Sequence, residues 1–185
     1  MENTISVVIG SWGSYNECNE RTLGSKWLDL NDYTDFEQIR EELELEGFEL
    51  DGIDEELFIQ DIEGIYESGY NWDYVNPEDL FNKLYESEVL TDVGKYELME
   101  AYLENNALDE FFKLVEENGS DWDDNMYLRA DCNSWDDYGR ALIEERMIKF
   151  PDDLENYFDF EEYGESVARY DNVYLTEYGV LEIFE

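Results

Sequence analysis

The sequence predicts an α+β fold in three successive parts. Short stretches with strand-like alternation occur near both ends of the chain, and the middle has apolar residues at helical spacing. Tyr, Phe and Trp make up 16% of the 185 residues and occur from end to end, so each part can bury a core. We expect an N-terminal antiparallel sheet with a helix over residues 1–66, a central small helical bundle over 67–105, and a C-terminal three-stranded sheet with helices over 106–185.

Three strands are expected in the first part, over residues 5–10, 25–30 and 57–62, because these short stretches are rich in apolar and β-branched side chains. A helix is predicted between the second and the third strand. Thr34 and Glu37 have the spacing of a capping box, which marks the start of this helix.

The solvent side of this helix carries Glu37, Glu41 and Glu44. Residues at these spacings lie on adjacent turns of one side of an α-helix. Their carboxylates are therefore expected to form a row rather than a scatter. Gly47 is the expected end of the helix, because glycine commonly follows the last helical turn.

The middle part is predicted to be helical throughout. Asn76 is followed by proline and two acids, the pattern of an N-cap with a first-turn proline. Further helices are expected over residues 93–103 and from residue 108 to a stop at Gly119, because their apolar residues recur at helical spacing.

The last part combines strands with helices. A strand is expected over residues 126–129, a helix capped by Ser134, a helical turn beginning at Pro151, and a closing hairpin over 172–184. The chain contains only 2 Pro and has no Pro/Gly/Ser-rich linker, so the three parts are expected to be joined by short connections.

The net charge is the unusual feature of the composition. The chain has 51 Asp+Glu against 11 Lys+Arg and no His, which gives a formal net charge of -40. Self-repulsion at this density destabilises the compact state, and solubility alone needs a net charge of about 2 to 8 in a small domain. Without His, the commonest general base at neutral pH and a frequent metal ligand is missing. We expect no enzyme, no cofactor and no small-molecule substrate.

Calcium binding is one alternative explanation of the acids. Asp121, Asp123 and Asn125 match the start of an EF-hand loop, which needs Gly at its sixth position and Glu at its twelfth. Met126 and Cys132 occupy those places, so no metal site is expected. A halophilic enzyme should still show a catalytic constellation, and an acidic tail would carry its acids in one block rather than interleaved with aromatics.

Cysteine spacing and hydropathy narrow the cellular setting. Cys18 and Cys132 lie far apart and have no redox or metal spacing, so two free, buried thiols are expected. No apolar run approaches the ~20 residues needed to cross a bilayer, and the N-terminus lacks the basic region of a signal peptide. We expect a cytoplasmic protein that does not bind membranes.

An ordered array of carboxylates can resemble DNA. A duplex carries one negative charge per ~1.7 Å of axis, so 40 charges correspond to roughly 68 Å, or about 20 base pairs. A basic groove that binds DNA would accept such a surface, with steep dependence on salt and tolerance of single substitutions. The candidate phosphate-mimicking acids are Glu37, Glu41, Glu44, Asp61, Glu63, Glu78, Asp79, Asp109, Glu110, Asp152, Asp153, Glu155, Asp159, Glu161, Glu162 and Glu165.

Several motifs match those of a known family. The first lie near the N-terminus, as a Tyr-Asn pair and a Gly-x-Trp-φ-x-Leu pattern, and the next follow the third predicted strand at Asp61, Glu63 and Gly64. The most specific stretch runs over residues 150–167. Its matching positions are Pro151, Leu154, Tyr157, Phe158, Asp159, Phe160, Glu161, Tyr163 and Gly164. On these motifs the chain resembles ArdA, the antirestriction proteins of mobile elements, over nearly its whole length.

The resemblance implies an elongated, dimeric molecule whose acids follow the path of bent B-form DNA. It implies that the molecule occupies the DNA site of type I restriction-modification enzymes, without catalysis or a cofactor. A dimer of charge -80, twice -40, would match roughly 40 base pairs.

The apolar side chains are expected to be structural. The core or the subunit contact should contain Pro151, Leu154, Tyr157, Phe158, Phe160, Tyr163 and Gly164, and the core should contain Trp12, Trp27, Trp72 and Trp135. Two other functions stay open: a DNA mimic directed at another DNA-binding defence or nucleoid protein, such as a CRISPR effector, and an acidic chaperone of basic proteins.

Overall fold

The computed structural model describes residues 3–66, 70–151 and 154–184. Within these residues the chain forms two three-stranded antiparallel sheets and seven α-helices. The predicted α+β class is therefore confirmed, with one sheet near each end of the chain. None of the described helices is both long and apolar enough to cross a membrane.

The N-terminal sheet consists of β1 (Ser6–Ser11), β2 (Leu28–Asp29) and β3 (Leu57–Glu63), in the order β2-β1-β3. All pairs are antiparallel, and Val7 of β1 lies opposite residues of both neighbours. The second strand is much shorter than predicted, because the chain turns into a short 3-10 helix at Leu30.

The first helices follow the sheet. The helix α1 (Trp12–Glu17) follows β1 directly, and α2 (Phe36–Leu45) lies between β2 and β3. The predicted capping box is displaced by one residue, because the N-cap is Asp35, whose carboxylate accepts a hydrogen bond from the backbone N–H of Gln38 at 3.1 Å. The Thr34 hydroxyl instead accepts a hydrogen bond from the Gln38 side chain at 2.8 Å.

Three helices form the middle of the chain, α3 (Pro77–Glu86), α4 (Val93–Leu103) and α5 (Leu108–Asn118). The Asn76 side chain caps α3 as predicted, since it accepts hydrogen bonds from the first turn. The helix α5 ends at Gly119, also as predicted. Buried residues surround most of α4, whereas α3 and α5 have one buried and one exposed face.

The C-terminal part contains β4 (Met126–Arg129), α6 (Trp135–Glu145), α7 (Phe160–Ala168), β5 (Asn172–Thr176) and β6 (Gly179–Ile183). Its sheet has the order β4-β6-β5 with antiparallel pairs, so the closing hairpin supplies the central strand and one edge. This arrangement confirms the predicted three-stranded sheet with helices.

A turn at Pro151 precedes α7. The Pro151 carbonyl oxygen accepts a hydrogen bond from the Leu154 backbone N–H at 2.9 Å. A short 3-10 helix follows at Glu155–Tyr157, and the regular helix begins only at Phe160, where the Asp159 carboxylate caps it. Pro151 therefore begins a turn, whereas Asp159 starts the helix of the motif.

The chain divides into two compact units. The first contains residues 1–96 and 107–122, with the N-terminal sheet and the helices α1, α2, α3 and α5. The second contains residues 97–106 and 123–185, with the C-terminal sheet and α6 and α7. The boundary falls inside α4. The division into three parts stays a prediction.

Candidate acidic interaction surface

Three exposed carboxylates form a row on α2, here called the α2 row: Glu37, Glu41 and Glu44. The opposite side of α2 is buried, which fixes the side that faces water. Arg40 approaches Glu37 at 3.6 Å, an exposed contact that contributes little. Glu41 and Glu44 make no ion pair with any residue in the described ranges, so this side of the helix carries uncompensated charge.

The neighbouring acids on α2 are neutralised. The Lys26 ammonium donates a hydrogen bond to Glu42 and lies 3.7 Å from Glu46. The hydrogen bond to Glu42 raises the pKa of Lys26 above its ordinary value. One side of the helix is thus locally paired, while the α2 row is directed outward without a cation.

Two further groups of predicted acids lie at helix starts. Glu78 and Asp79 are exposed in the first turn of α3, and Asp109 and Glu110 are exposed in the first turn of α5. The partial positive charge of a helix N-terminus stabilises carboxylates there by about 0.3 to 1 kcal/mol each. These positions allow acids to be concentrated at limited cost to folding.

The fold brings Asp79 and Asp109 together. Both line a groove of about 300 Å³ between α3 and α5. The Tyr70 hydroxyl donates a hydrogen bond to Asp109 at 2.8 Å, and burial together with this bond raises the pKa of Tyr70 to about 12. Lys83 and Lys113 also line the groove, so its charge is mixed.

The strand β3 contributes Asp61 and Glu63, which are both exposed. They flank Ile62, which is buried because successive side chains of a strand point to opposite faces. Asp61 lies opposite Val8 of β1, and Glu63 lies opposite Ser6. The sheet therefore holds these two carboxylates in a defined register on its solvent side.

The acids of the antirestriction-like motif differ in environment. Glu161 and Glu162 are exposed at the start of α7, without an ion pair in the described part of the chain. Asp159 is exposed but accepts a hydrogen bond from the Glu162 backbone N–H at 2.9 Å, so it also has a structural role. Glu165 pairs with Arg169 at 3.1 Å on the surface.

The remaining motif acids precede α7. Glu155 is exposed in the short 3-10 helix. Asp152 and Asp153, which the sequence analysis also assigned to the surface, lie outside the described residues.

The apolar motif residues fall into two groups. Phe160 is buried, Gly164 is buried where α6 and α7 cross, and Phe158 packs against Tyr163 with ring centroids 5.6 Å apart. By contrast Pro151, Leu154 and Tyr157 are exposed, Leu154 by 54% and Tyr157 by 85%. These three residues are therefore not part of the core, and only the predicted subunit contact remains open for them.

Basic residues near the motif contact its rings. The Arg140 guanidinium lies 4.0 Å from the centroid of the Phe160 ring, and it also pairs with Asp136 at 2.6 Å. Arg146 donates a hydrogen bond to the Tyr163 hydroxyl at 2.6 Å. These cations hold the motif against α6 and leave the acids at the start of α7 without partners.

Not every acid is available to a partner, as Asp54 shows. It is fully buried and accepts hydrogen bonds from the hydroxyls of Ser11, at 2.6 Å, and Ser14, and from the Glu49 backbone N–H at 2.8 Å. Arg21 pairs with it at 3.1 Å. Burial by itself raises the pKa of Asp54, but these hydrogen bonds and the Arg21 charge outweigh it and lower the pKa.

Glu182 is a second buried acid that the sequence analysis missed. It accepts a hydrogen bond from the Tyr138 hydroxyl at 2.8 Å, and Arg129 pairs with it at 3.1 Å. Arg129 also holds Glu145 at 2.5 Å, and this bond is the main cause of its raised pKa. Strand alternation places Glu182 on the same side as the buried Val180, which was the available sequence signal.

Two expectations about apolar residues were wrong. Trp27 is 41% exposed rather than in the core, because the adjacent Leu28 occupies the inward position of the short strand β2. Cys18 is exposed rather than buried, since it ends α1 in a left-handed conformation with φ 51°. Cys132 and Trp72 are buried as expected.

These features define an acidic α+β protein whose described surface holds ordered carboxylates. Among the residues that the structure describes, no group of three or more Cys, Asp or Glu side chains is placed to hold a metal ion. A family model for the antirestriction protein ArdA matches residues 7–182. The chain therefore belongs to the ArdA antirestriction protein family, as the motifs predicted.

Membership of this family implies an antirestriction function and an interaction with restriction enzymes, and the family is not known as a family of enzymes. A search of individually curated proteins gave no match.

Proposed function

We propose that the protein mimics B-form DNA and blocks restriction by occupying the DNA-binding site of a type I restriction-modification enzyme. The observation that carries the proposal is the excess of exposed carboxylates on ordered helices and strands. Even if each of the 11 Lys and Arg neutralised one of the 51 acids, 40 negative charges would remain, since 51 - 11 = 40. Because modification needs the same DNA site, methylation should be inhibited as well.

The spacing of the acids supports this proposal. An α-helix rises about 1.5 Å per residue, so the seven-residue step from Glu37 to Glu44 covers roughly 10 Å. Three carboxylates within that length, one about every 5 Å, approach the spacing of phosphates along one DNA strand, about 3.4 Å of axis each. The α2 row alone therefore has a charge density similar to that of a phosphate backbone.

The rigidity of the carrying elements supports it further. Glu78, Asp79, Asp109 and Glu110 lie in first helical turns, and Asp61 lies on a paired strand. Carboxylates held on such elements need little further ordering when a partner binds, so less of the electrostatic attraction is lost to entropy. A disordered acidic chain of equal charge would bind more weakly per contact.

The proposal includes a homodimer. Met147, Ile148, Leu154 and Tyr157 are exposed by 83%, 43%, 54% and 85% within one short region of the second unit. A clustered set of large exposed apolar side chains is typical of an interaction site. We assign this apolar segment to a contact between two copies of the chain. The proposed target acts on DNA, which places the protein in the cytoplasm.

A competition titration tests the proposal. Purified protein is added to a type I restriction-modification enzyme bound to labelled cognate DNA, at two salt concentrations. We expect displacement of the DNA near one dimer per enzyme, and weaker displacement at the higher salt concentration. DNA that stays bound at all protein concentrations would reject the type I target.

Controls separate the two other functions. A basic protein that does not bind DNA should not be captured, since capture would favour an acidic chaperone instead. Displacement of DNA from a CRISPR effector or a nucleoid protein, without displacement from the type I enzyme, would favour a mimic with another target.

A further inference from the structure

We propose that a cleft in the first unit, here called the aromatic cleft, is a socket for an arginine side chain of the target protein. The cleft has a volume of about 530 Å³ and is lined by the rings of Trp12 and Tyr74 and by the carboxylates of Glu55, Glu56 and Asp73. The proposal rests on the proposed function for the identity of the partner. It adds a specific contact to a surface otherwise based on many weak ones.

Two chain segments build the aromatic cleft. Trp12 begins α1, and its backbone N–H donates a hydrogen bond to the Glu56 carbonyl oxygen at 3.0 Å, which keeps the ring beside the acids that precede β3. Tyr74 ends a short 3-10 helix whose first residue, Trp72, is buried. The Val75 backbone N–H closes this turn on the Trp72 carbonyl oxygen at 2.9 Å. Both walls are therefore anchored.

The rings leave aromatic surface open to solvent. Trp12 stacks on Phe58 with centroids 4.3 Å apart, and its edge meets Tyr15 at 5.9 Å, yet it stays partly exposed. Tyr74 is 85% exposed, and no ring of the described residues packs against it. A cation above an aromatic face is attracted by the ring quadrupole, more strongly once the pair is desolvated.

The charges of the aromatic cleft are uncompensated. Glu55, Glu56 and Asp73 are exposed, and none of them makes an ion pair within residues 3–66, 70–151 and 154–184. The part of the lining that the structure describes contains no Lys or Arg. The groove between α3 and α5 differs in this respect, because Lys83 and Lys113 line it and would repel an incoming cation.

The chemistry of the cleft favours arginine over lysine. A guanidinium is planar, so it can stack on the Tyr74 ring while its N–H groups donate to carboxylates in paired bonds. The ammonium of lysine is a hydrated point charge and gains less from a flat surface. DNA presents phosphates beside flat bases, and arginine is the commonest side chain that reads guanine. The aromatic cleft combines both features.

An NMR titration of the full chain with arginine amide tests the socket directly. We expect saturable shifts of the Trp12 indole and Tyr74 ring signals, with a response at least about threefold weaker for lysine amide. Shifts that grow linearly and are equal at the cleft and at the α2 row would overturn the socket. This titration needs no restriction enzyme, so its failure is distinct from failure of the proposed function.

Variants of the exposed ring sharpen the titration. Tyr74→Ala should abolish the saturable response, whereas Tyr74→Phe should retain it because the aromatic face remains. Tyr170→Ala is the matched control, since Tyr170 is 89% exposed in the second unit. A Tyr74→Ala variant that still saturates like the wild type would overturn the role of the ring.

The DNA-displacement assay provides the functional comparison. A triple variant, Glu55→Gln with Glu56→Gln and Asp73→Asn, removes the same charge as a triple Glu→Gln variant of the α2 row. The socket predicts inhibition weakened about tenfold by the cleft variant and only about threefold by the α2 variant. Equal losses would overturn it. If the wild type displaces no DNA, the proposed function fails, while the amide titration still decides the socket.

Discussion

Gly139 of α6 and Gly164 of α7 lie against each other where the two helices cross. A Cβ atom added to Gly139 would lie 3.3 Å from the backbone nitrogen of Gly164 and 2.0 Å from the Phe160 carbonyl oxygen. A Cβ added to Gly164 would lie 2.3 Å from the Trp135 carbonyl oxygen. The motif glycine is therefore required for helix packing.

Substitution of this glycine should destabilise the second unit. Gly164→Ala forces the two backbones apart, so we expect the free energy of unfolding to fall by about 1 to 3 kcal/mol. Urea unfolding followed by circular dichroism measures this change. Gly52→Ala is the control, because a Cβ there meets only ordinary contacts of 3.4 Å or more. An unchanged midpoint for Gly164→Ala would contradict the packing role.

The buried Glu182 should depend on its cation. Arg129→Met leaves this carboxylate without its ion pair, and we expect a loss of about 3 to 5 kcal/mol in the free energy of unfolding. The double variant Arg129→Met with Glu182→Leu removes both charges and should lose clearly less. Denaturant titrations of both single variants and the double variant measure the coupling. Additive losses would show that the pair is not coupled.

The buried Asp54 should give a pH-dependent contribution to stability. Its pKa is lowered in the folded state, so its contribution is fully present above the unfolded value, about 3.9, and is lost as the pH falls through the folded value. Asp54→Asn should therefore be less stable than the wild type at pH 7, and the gap should narrow below about pH 4. Urea midpoints from pH 7 to pH 3 measure it. A constant gap would contradict this account.

The α2 row should cost stability. Glu41→Gln with Glu44→Gln removes repulsion without breaking an ion pair, so we expect the free energy of unfolding to rise by about 0.5 kcal/mol. Added NaCl should also stabilise the wild type, because it screens the same repulsion.

The matched control is Glu42→Gln with Glu46→Gln. It removes the same charge but leaves Lys26 without its partners, so we expect a smaller gain or a loss. Thermal melts at low and high salt compare the two double variants, and equal gains would show that pairing has no effect.

The exposed apolar segment should control assembly. Met147→Ser with Tyr157→Ser removes two of its most exposed apolar side chains, and we expect a shift from dimer to monomer in sedimentation velocity. Leu23→Ser is the control, since Leu23 is 81% exposed outside this segment. A dimer that persists unchanged would place the contact elsewhere.

Much of the secondary structure could be predicted from local patterns. The helix α4 covers the predicted residues 93–103, and Asn76 and Ser134 cap their helices as expected. Such features depend on neighbouring residues only. The Thr34 cap failed because Asp35, one residue later, offers a competing side-chain acceptor. Nothing local distinguishes two adjacent N-cap candidates.

The candidate surface was harder to predict than the helices. All the acids of α2 look alike in the sequence, yet Lys26 pairs with Glu42 and Glu46 and not with Glu41 or Glu44. The choice depends on which part of the helix faces the segment before β2. The position of Trp27 is decided in the same way, because the short strand turns Leu28 inward instead.

By itself the sequence determined the charge of -40, the α+β class and the motifs of the antirestriction family, because composition, periodicity and spacing are local properties. Only the tertiary structure decided which carboxylates face water without a partner. Asp54 is buried by Ser11 and Arg21, which lie 43 and 33 residues away in the chain. The exposure and pairing of an acid depend on segments that meet only after folding, and they separate a structural carboxylate from one that can imitate a phosphate.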